Sequence, residues 1–325
     1  MRWISACRRA CFVVYAGEMK LIAVASVLWC LAASASAAGL AEIQIPADAG
    51  GPAIAAMVWS PCAVPAKDIP IDGPLVVRGV RDCPVEGANL PLVILSHGLG
   101  GGNLSHHDTA EALADNGFIA VTLTHVLDSG RDLTNAMKPQ SMVERPADVK
   151  RVLDYVLQSS PYRTAIDPRR IGFFGFSRGG FTGLVLAGAT AEIPSSMESL
   201  NGGPSSQLRD PDRRIIAFVI ADPLNVFPGK ASLAQVTAPI QLWSSQLGGQ
   251  GVTPKDVAAI AANLPATPEF HRVPNSTHLS FIFPCSPAMA KVAGDACVDP
   301  LGFDRAAFHR QLDEQIVAFF NKHLK

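Results

Sequence analysis

Ser177 stands in the run Ile171-Gly172-Phe173-Phe174-Gly175-Phe176-Ser177-Arg178-Gly179-Gly180, and these neighbours make it the first candidate for chemistry. Arg170 to Phe176 is apolar with small residues interleaved, as a buried central strand requires. Gly179 to Ala187 has the size and apolarity of a helix packed on a sheet. A serine on such an elbow is held in a strained backbone conformation, and glycines two residues to either side remove the clash. Its hydroxyl then stands clear of the sheet as a nucleophile, and the amide of Arg178 faces an incoming carbonyl.

An alcohol is a poor nucleophile at neutral pH, so a base must take its proton. In a fold of this kind the base follows the last strand, so it is expected late in the chain. His278, in Pro274-Asn275-Ser276-Thr277-His278, follows the last expected strand and is the candidate; His271 lies within that strand, and His309 and His323 on a closing helix. A carboxylate must then hold the imidazole in the right tautomer. The stretch Ser245 to Pro254 offers none, whereas Asp222 comes directly after the strand ending at Ala221. Asp222 is therefore the expected acid. Asp256 is the alternative, although a carboxylate there also suits the first turn of a helix.

A developing oxyanion needs preformed donors. Besides the amide of Arg178, the segment His97-Gly98-Leu99-Gly100-Gly101-Gly102 has the H-G-x-G form that turns an amide into a pocket, here that of Leu99. His97 is expected to order this loop. No G-K-[ST] follows the glycines, so they do not read as a phosphate cradle. His106-His107-Asp108 could suggest a metal, but neighbours on a helix point to different faces, and a solvated helix start is expected instead. No metal and no cofactor are expected.

These residues need a scaffold of alternating strands and helices. Strands are expected at Glu42 to Pro46 and Ile54 to Ser60, joined by the turn Asp48 to Gly51, with an extended piece from Leu75 to Arg78 after a Pro/Asp-rich loop. Further strands read at Leu92 to Ser96, Phe118 to Thr124, Ile215 to Ala221, Ile240 to Ser244 and Glu269 to Val273. Helices read at Ser105 to Asn116, Ala147 to Ser159, Asp256 to Leu264 and Asp304 to Leu324. The alternation predicts an α/β fold: a mostly parallel central sheet with helices on both faces and antiparallel N-terminal edge strands. Ligands in such sheets bind beyond the carboxyl ends of the strands, where Ser177 lies.

Residues 1–38 read as an N-terminal extension plus signal peptide, with the start at Met19: Lys20 gives a positive start, Leu21 to Ala33 is apolar, and Ser34 to Ala38 are small. Residues 39–325 are expected to form a single domain, with candidate cap or loop insertions at 190–212 and 281–303. Cys62, Cys83, Cys285 and Cys297 remain after the leader. Four cysteines allow three pairings; the two local pairs each close a Pro-, Gly- or Asp-rich loop, and none has zinc-like C-x-x-C spacing. Such bridges persist in the periplasm or outside the cell. With 17% charged residues, a net charge of −1 and no Arg/Lys stripe, nothing favours nucleic acid. After cleavage no membrane span is expected.

The chain resembles the α/β-hydrolase branch that contains platelet-activating-factor acetylhydrolases and bacterial proteins described as predicted dienelactone hydrolases. The resemblance rests on Ser96 to Gly101, the helix from Ala147 into Ile166-Asp167-Pro168-Arg169-Arg170-Ile171-Gly172, and the elbow. Ala221-Asp222-Pro223, Gln241-Leu242-Trp243, the His278 loop and Pro284-Cys285-Ser286 also match; together they cover roughly residues 50 to 323. It implies the α/β-hydrolase fold and a Ser-Asp-His triad with the acid after the sixth strand, which points to Asp222. Relatives often carry acidic residues after the position of Trp243, where this chain has Ser244-Ser245-Gln246. True dienelactone hydrolases use cysteine, so Ser177 argues against that reaction. From Ser177, His278, Asp222 and the two oxyanion amides, the expected activity is that of an exported hydrolase acting on a small-molecule neutral, short-acyl carboxylic ester through an acyl-enzyme. Other acyl bonds (phospholipid, lactone, polyester, amide) and a silent binding protein on the same scaffold are the alternatives. Phe176, Phe227, Phe281 and Phe283 are expected to make any acyl pocket apolar.

Overall fold

The computed structural model describes residues 37–130, 132–195 and 205–325. The expected signal segment, except Ala37 and Ala38, lies outside the described residues. In chain order the elements are β1 (Ala37–Ile45), β2 (Ile54–Cys62), β3 (Lys67–Asp72), β4 (Leu75–Arg81), β5 (Leu90–Ser96), α1 (His107–Asp115), β6 (Ile119–Leu123) and α2 (Pro139–Gln158). There follow β7 (Ile166–Phe176), α3 (Arg178–Leu186), β8 (Ala191–Pro194), β9 (Ser205–Leu208), β10 (Ile215–Ala221), α4 (Lys230–Leu233) and β11 (Ile240–Ser245). The chain closes with α5 (Pro254–Asn263), β12 (Glu269–Val273), α6 (Pro287–Ala290) and α7 (Arg305–His323).

Ten strands form one sheet in the order β12-β11-β10-β7-β5-β6-β2-β1-β4-β3. From β12 to β6 every neighbour is parallel, whereas β2 pairs antiparallel with β6 and with β1. The period of two assigns the faces. Leu92, Ile94, Ile171, Phe173, Phe218 and Ile220 face one core, completed by α2, α3 and α5 through Val149, Val152, Phe181, Leu184 and Val257. Val93, Leu95, Phe174, Phe176, Val219 and Trp243 face the other, where α1 and α7 supply Leu113, Leu312, Ile316 and Phe320. With both faces buried, the central strands are continuous apolar runs.

The N-terminal strands are arranged differently from the expectation. β1 and β2 lie inside the sheet, and the outermost strand on that side is β3, read as loop because Pro65 and Pro70 flank and interrupt it. An edge strand tolerates proline because one row of its N–H groups has no partner strand. β1 starts two residues inside the segment assigned to the leader, with Ala37 and Ala38 paired to Cys62 and Pro61. α2 begins at Pro139, eight residues before its expected start, because Pro146 inside it reads as a helix breaker. The 190–212 segment holds the hairpin β8–β9, and residues 196–204 lie outside the described residues. The local cysteine pairs are bonded: Cys62–Cys83 with Cα atoms 6.0 Å apart and Cys285–Cys297 with 5.8 Å.

Candidate active site

Ser177 links β7 to α3 with φ 56° and ψ −114°, a region that L-residues rarely enter. Its N–H donates to Ala221 O at 2.9 Å and its carbonyl accepts from Leu224 N at 3.2 Å, so the elbow is tied to the end of β10. The flanking glycines are steric necessities. A Cβ on Gly175 would stand 2.1 Å from Gly179 O, and one on Gly179 would stand 2.0 Å from Ser96 O. Both obstacles are backbone and cannot rotate away.

The structure brings His278 and Asp222 to this serine. Ser177 Oγ lies 2.9 Å from His278 Nε2, and His278 Nδ1 lies 2.7 Å from Asp222 Oδ2. All three residues are buried. Asp222 leaves β10 with φ 44° and its N–H donates to Trp243 O at 2.9 Å, which turns the carboxylate off the strand end. The Ser245 N–H donates to Asp222 Oδ1 at 2.8 Å and the Ser245 hydroxyl to Oδ2 at 2.7 Å. The carboxylate therefore accepts three hydrogen bonds, and Nδ1–H must be the ring donor. His278 N–H donates to Gly248 O at 2.8 Å, and the imidazole stacks on Phe176 with centroids 4.6 Å apart. Asp256 is not part of this group; its carboxylate accepts from the Thr253 hydroxyl at 2.6 Å at the start of α5.

Leu99 and Arg178 both line the cavity at Ser177. Arg178 is the first residue of α3, where a helix N–H has no intrahelical acceptor. Among the described residues the Leu99 N–H also has no backbone acceptor. A buried polar network that the sequence did not announce lies beneath the Leu99 loop. His97 Nε2 accepts from His125 N at 3.0 Å, and His97 Nδ1–H donates to Gly98 O at 2.6 Å. Ser96 Oγ–H donates to His125 Nε2 at 2.8 Å, and His125 Nδ1–H donates to Asp148 at 3.0 Å. Burial, reinforced by Arg145, holds both imidazoles well below their ordinary pKa, so they are neutral. Asp128 accepts from Gly100 N, Arg145 and Arg178 at 2.9, 3.2 and 2.9 Å. Although burial raises a carboxyl, the two guanidinium groups and the amide outweigh it and bring Asp128 to about 2.

No protein-family model and no curated protein sequence matches the chain. Among solved structures it is similar to a ferulic acid esterase from Streptomyces cinnamoneus, with a TM-score of 0.62 at 18% identity over 88% of this chain and 90% of that one. This is the α/β-hydrolase fold. At that identity the likeness speaks for the scaffold alone.

In the α/β-hydrolase scaffold of this chain, Ser177 opens into a cavity of about 170 Å³ lined by Leu99, Met137, Phe176, Leu224, Leu279 and Ile282, with Gln250 at its polar side. Of the four phenylalanines expected there, only Phe176 lines it. Phe227 stacks on Phe181, and Phe281 is fully buried against Phe308. Phe283 lines a neighbouring depression with Gly100 to Gly102. Aliphatic side chains from separate loops take their place, and a one-dimensional pattern cannot converge them.

The expected solvated start at His106-His107-Asp108 is also corrected. His106 and His107 are buried because the first turn of α1 packs on Phe174, Phe176 and Phe283. Burial lowers His106 to about 3 and His107 below its usual value. Asp108 instead pairs with His309 of α7 at 2.6 Å, and His309 Nε2 lies 3.0 Å from Ser280 O in the turn that carries His278. Among the described residues no group of three or more His, Cys, Asp or Glu could hold a metal ion. No described helix is long and apolar enough to cross a membrane.

Proposed function

We propose that the chain is an exported serine carboxylic-ester hydrolase of the branch containing platelet-activating-factor acetylhydrolases and predicted dienelactone hydrolases. The observation that carries this reading is the unbroken relay from Asp222 through His278 to Ser177, with contacts of 2.7 and 2.9 Å on a strained elbow. Two disulfides and a leader-like N-terminus support export.

Ser177 Oγ attacks the ester carbonyl carbon while His278 Nε2 takes its proton. Asp222 keeps Nδ1 protonated and stabilises the imidazolium, and the two Ser245 donors hold that carboxylate in place. The carbonyl oxygen becomes an oxyanion and receives the N–H groups of Leu99 and Arg178, the latter at the positive end of α3. Collapse expels the alcohol, which takes its proton from His278. Water, activated by the same base, then releases the acid from the acyl-enzyme.

The cavity argues for a small acyl group. Pockets enclosing drug-sized ligands span roughly 300–1,000 Å³, and about 170 Å³ lined mainly by aliphatic carbons suits a short neutral chain. The solved neighbour's name, ferulic acid esterase, favours an ester over an amide as the scissile bond. A panel of p-nitrophenyl esters from acetate to dodecanoate, with methyl ferulate and a matched anilide, tests the reading. The highest kcat/KM is expected at two to four acyl carbons, with none in Ser177→Ala. Undiminished turnover in Ser177→Ala contradicts the mechanism, and a maximum at long chains contradicts the acyl preference.

A further inference from the structure

Arg145 is fully buried in α2, where a cation is costly. Among the described residues its one carboxylate partner, Asp128, is shared with Arg178. The remaining donors reach the end of β5 and the loop after it: Nη1 to His97 O at 2.8 Å and Ser96 Oγ at 3.4 Å, and Nη2 to Gly98 O at 3.2 Å, 3.5 Å from His97 Nδ1. Apolar side chains of similar volume often serve a core as well as or better than a buried ion pair, so stability alone is a weak reason for this arrangement. The carbonyls it grips are more informative.

Gly98 O and the Leu99 N–H belong to one peptide unit. A trans peptide is planar with its C=O and N–H pointing in opposite directions. The guanidinium shares that carbonyl with His97 Nδ1–H at 2.6 Å and the Gly101 N–H at 3.2 Å, and holding the oxygen among these donors aims the amide the other way; Leu99 itself lines the Ser177 cavity. A charge-assisted bond at the oxygen is stronger than a neutral one, and hydrogen bonds in series polarise one another. The same contact that aims the Leu99 N–H thus makes it a stronger donor. Asp128 completes the frame. It accepts the Gly100 N–H at 2.9 Å, fixing the next peptide, and it holds the guanidinium of Arg178, whose own amide is the second donor.

We propose that Arg145 is a positioning residue for the oxyanion hole: its guanidinium, framed by Asp128, orients and polarises the Gly98–Leu99 peptide whose N–H receives the developing oxyanion. This rests on the serine-hydrolase reading. Arg145 touches no substrate and acts only through that peptide.

The test compares an oxygen ester with the matching thionoester in wild type, Arg145→Lys and Asp128→Asn, with Ser177→Ala as reference. Sulfur is a poor hydrogen-bond acceptor, so oxyanion donors favour the oxygen substrate, and the ratio of the two rates is independent of the fraction of protein folded. Losing a single oxyanion donor costs about 10²–10³ in kcat. Arg145→Lys is expected to lose on the order of 10² in kcat on the oxygen ester with KM within threefold, and less than tenfold on the thionoester. Asp128→Asn should move the ratio the same way. An equal loss on both substrates, or an unchanged ratio, overturns the proposal while Ser177→Ala remains inactive. Turnover surviving in Ser177→Ala overturns the underlying hydrolase reading instead.

Discussion

Replacing Asp222 by asparagine preserves shape and volume while altering the charge and donor pattern on which the relay depends. In the native site Oδ1 accepts the Ser245 N–H, and Oδ2 accepts both the Ser245 hydroxyl and His278 Nδ1–H. An amide nitrogen cannot face the Ser245 N–H, so the asparagine oxygen must take the Oδ1 place. Its NH₂ group then sits where Oδ2 was and donates to His278 Nδ1. The ring proton is forced onto Nε2, 2.9 Å from Ser177 Oγ, and a protonated Nε2 cannot accept the serine's proton. A wrong tautomer of this kind lowers kcat by about 10⁴ in a well-studied serine protease, or about 5 kcal/mol of transition-state stabilisation. The expectation for Asp222→Asn is a loss of that order in kcat on p-nitrophenyl acetate, with little change in KM and an unchanged circular-dichroism spectrum. Asp256→Asn, at the start of α5, should stay within about threefold, as suits a residue touching no reacting group. Retention of more than a tenth of wild-type kcat in Asp222→Asn, or a large loss in Asp256→Asn instead, refutes the reasoning.

Gly179→Ala, whose Cβ would meet Ser96 O at 2.0 Å, should cost about 3 kcal/mol or more by urea denaturation, whereas Gly102→Ala, with its nearest obstacle at 3.6 Å, should cost less than about 1. Replacing Cys285 and Cys297 together by serine should remove about 3 kcal/mol, the chain-entropy value for a loop of 12 residues; no change in the urea midpoint would argue against that bridge. Burial and the nearby Asp108 raise Asp313 to about 8, so it favours the folded state at low pH and that contribution is lost as pH rises from about 4, its unfolded range, through 8. The melting temperature of Asp313→Asn should therefore gain on wild type as pH rises from 5 to 8.5, and a constant difference would contradict the assignment.

The alternation of strands and helices and the triad candidates were legible because each rests on local pattern. β7 is an apolar run, Ser177 sits between spaced glycines, and Asp222 and His278 each directly follow a strand end or its loop. β3 and the first two turns of α2 were not legible, because Pro70 and Pro146 carry local signals that tertiary packing overrides. Arg145 lay in the part of α2 that was missed, so the support beneath Leu99 went unseen. Ser245 was read only as the start of a loop lacking carboxylates, yet its amide and hydroxyl hold Asp222. A signal existed, since it closes β11 beside β10, but pairing Ser245 with Asp222 requires strand order, which sequence alone leaves open. His106 and His107 misled for the same reason: their packing on Phe174, Phe176 and Phe283 is a long-range contact.

Mapping the site of a fluorophosphonate adduct by mass spectrometry tests the central claim most directly. The account predicts one adduct per chain labelled in the folded state, on the peptide containing Ser177, with no labelling when the chain is unfolded before the probe is added and none in Ser177→Ala. A folded protein that takes up no probe, or that carries the adduct on another residue while Ser177→Ala still turns over esters, would contradict it.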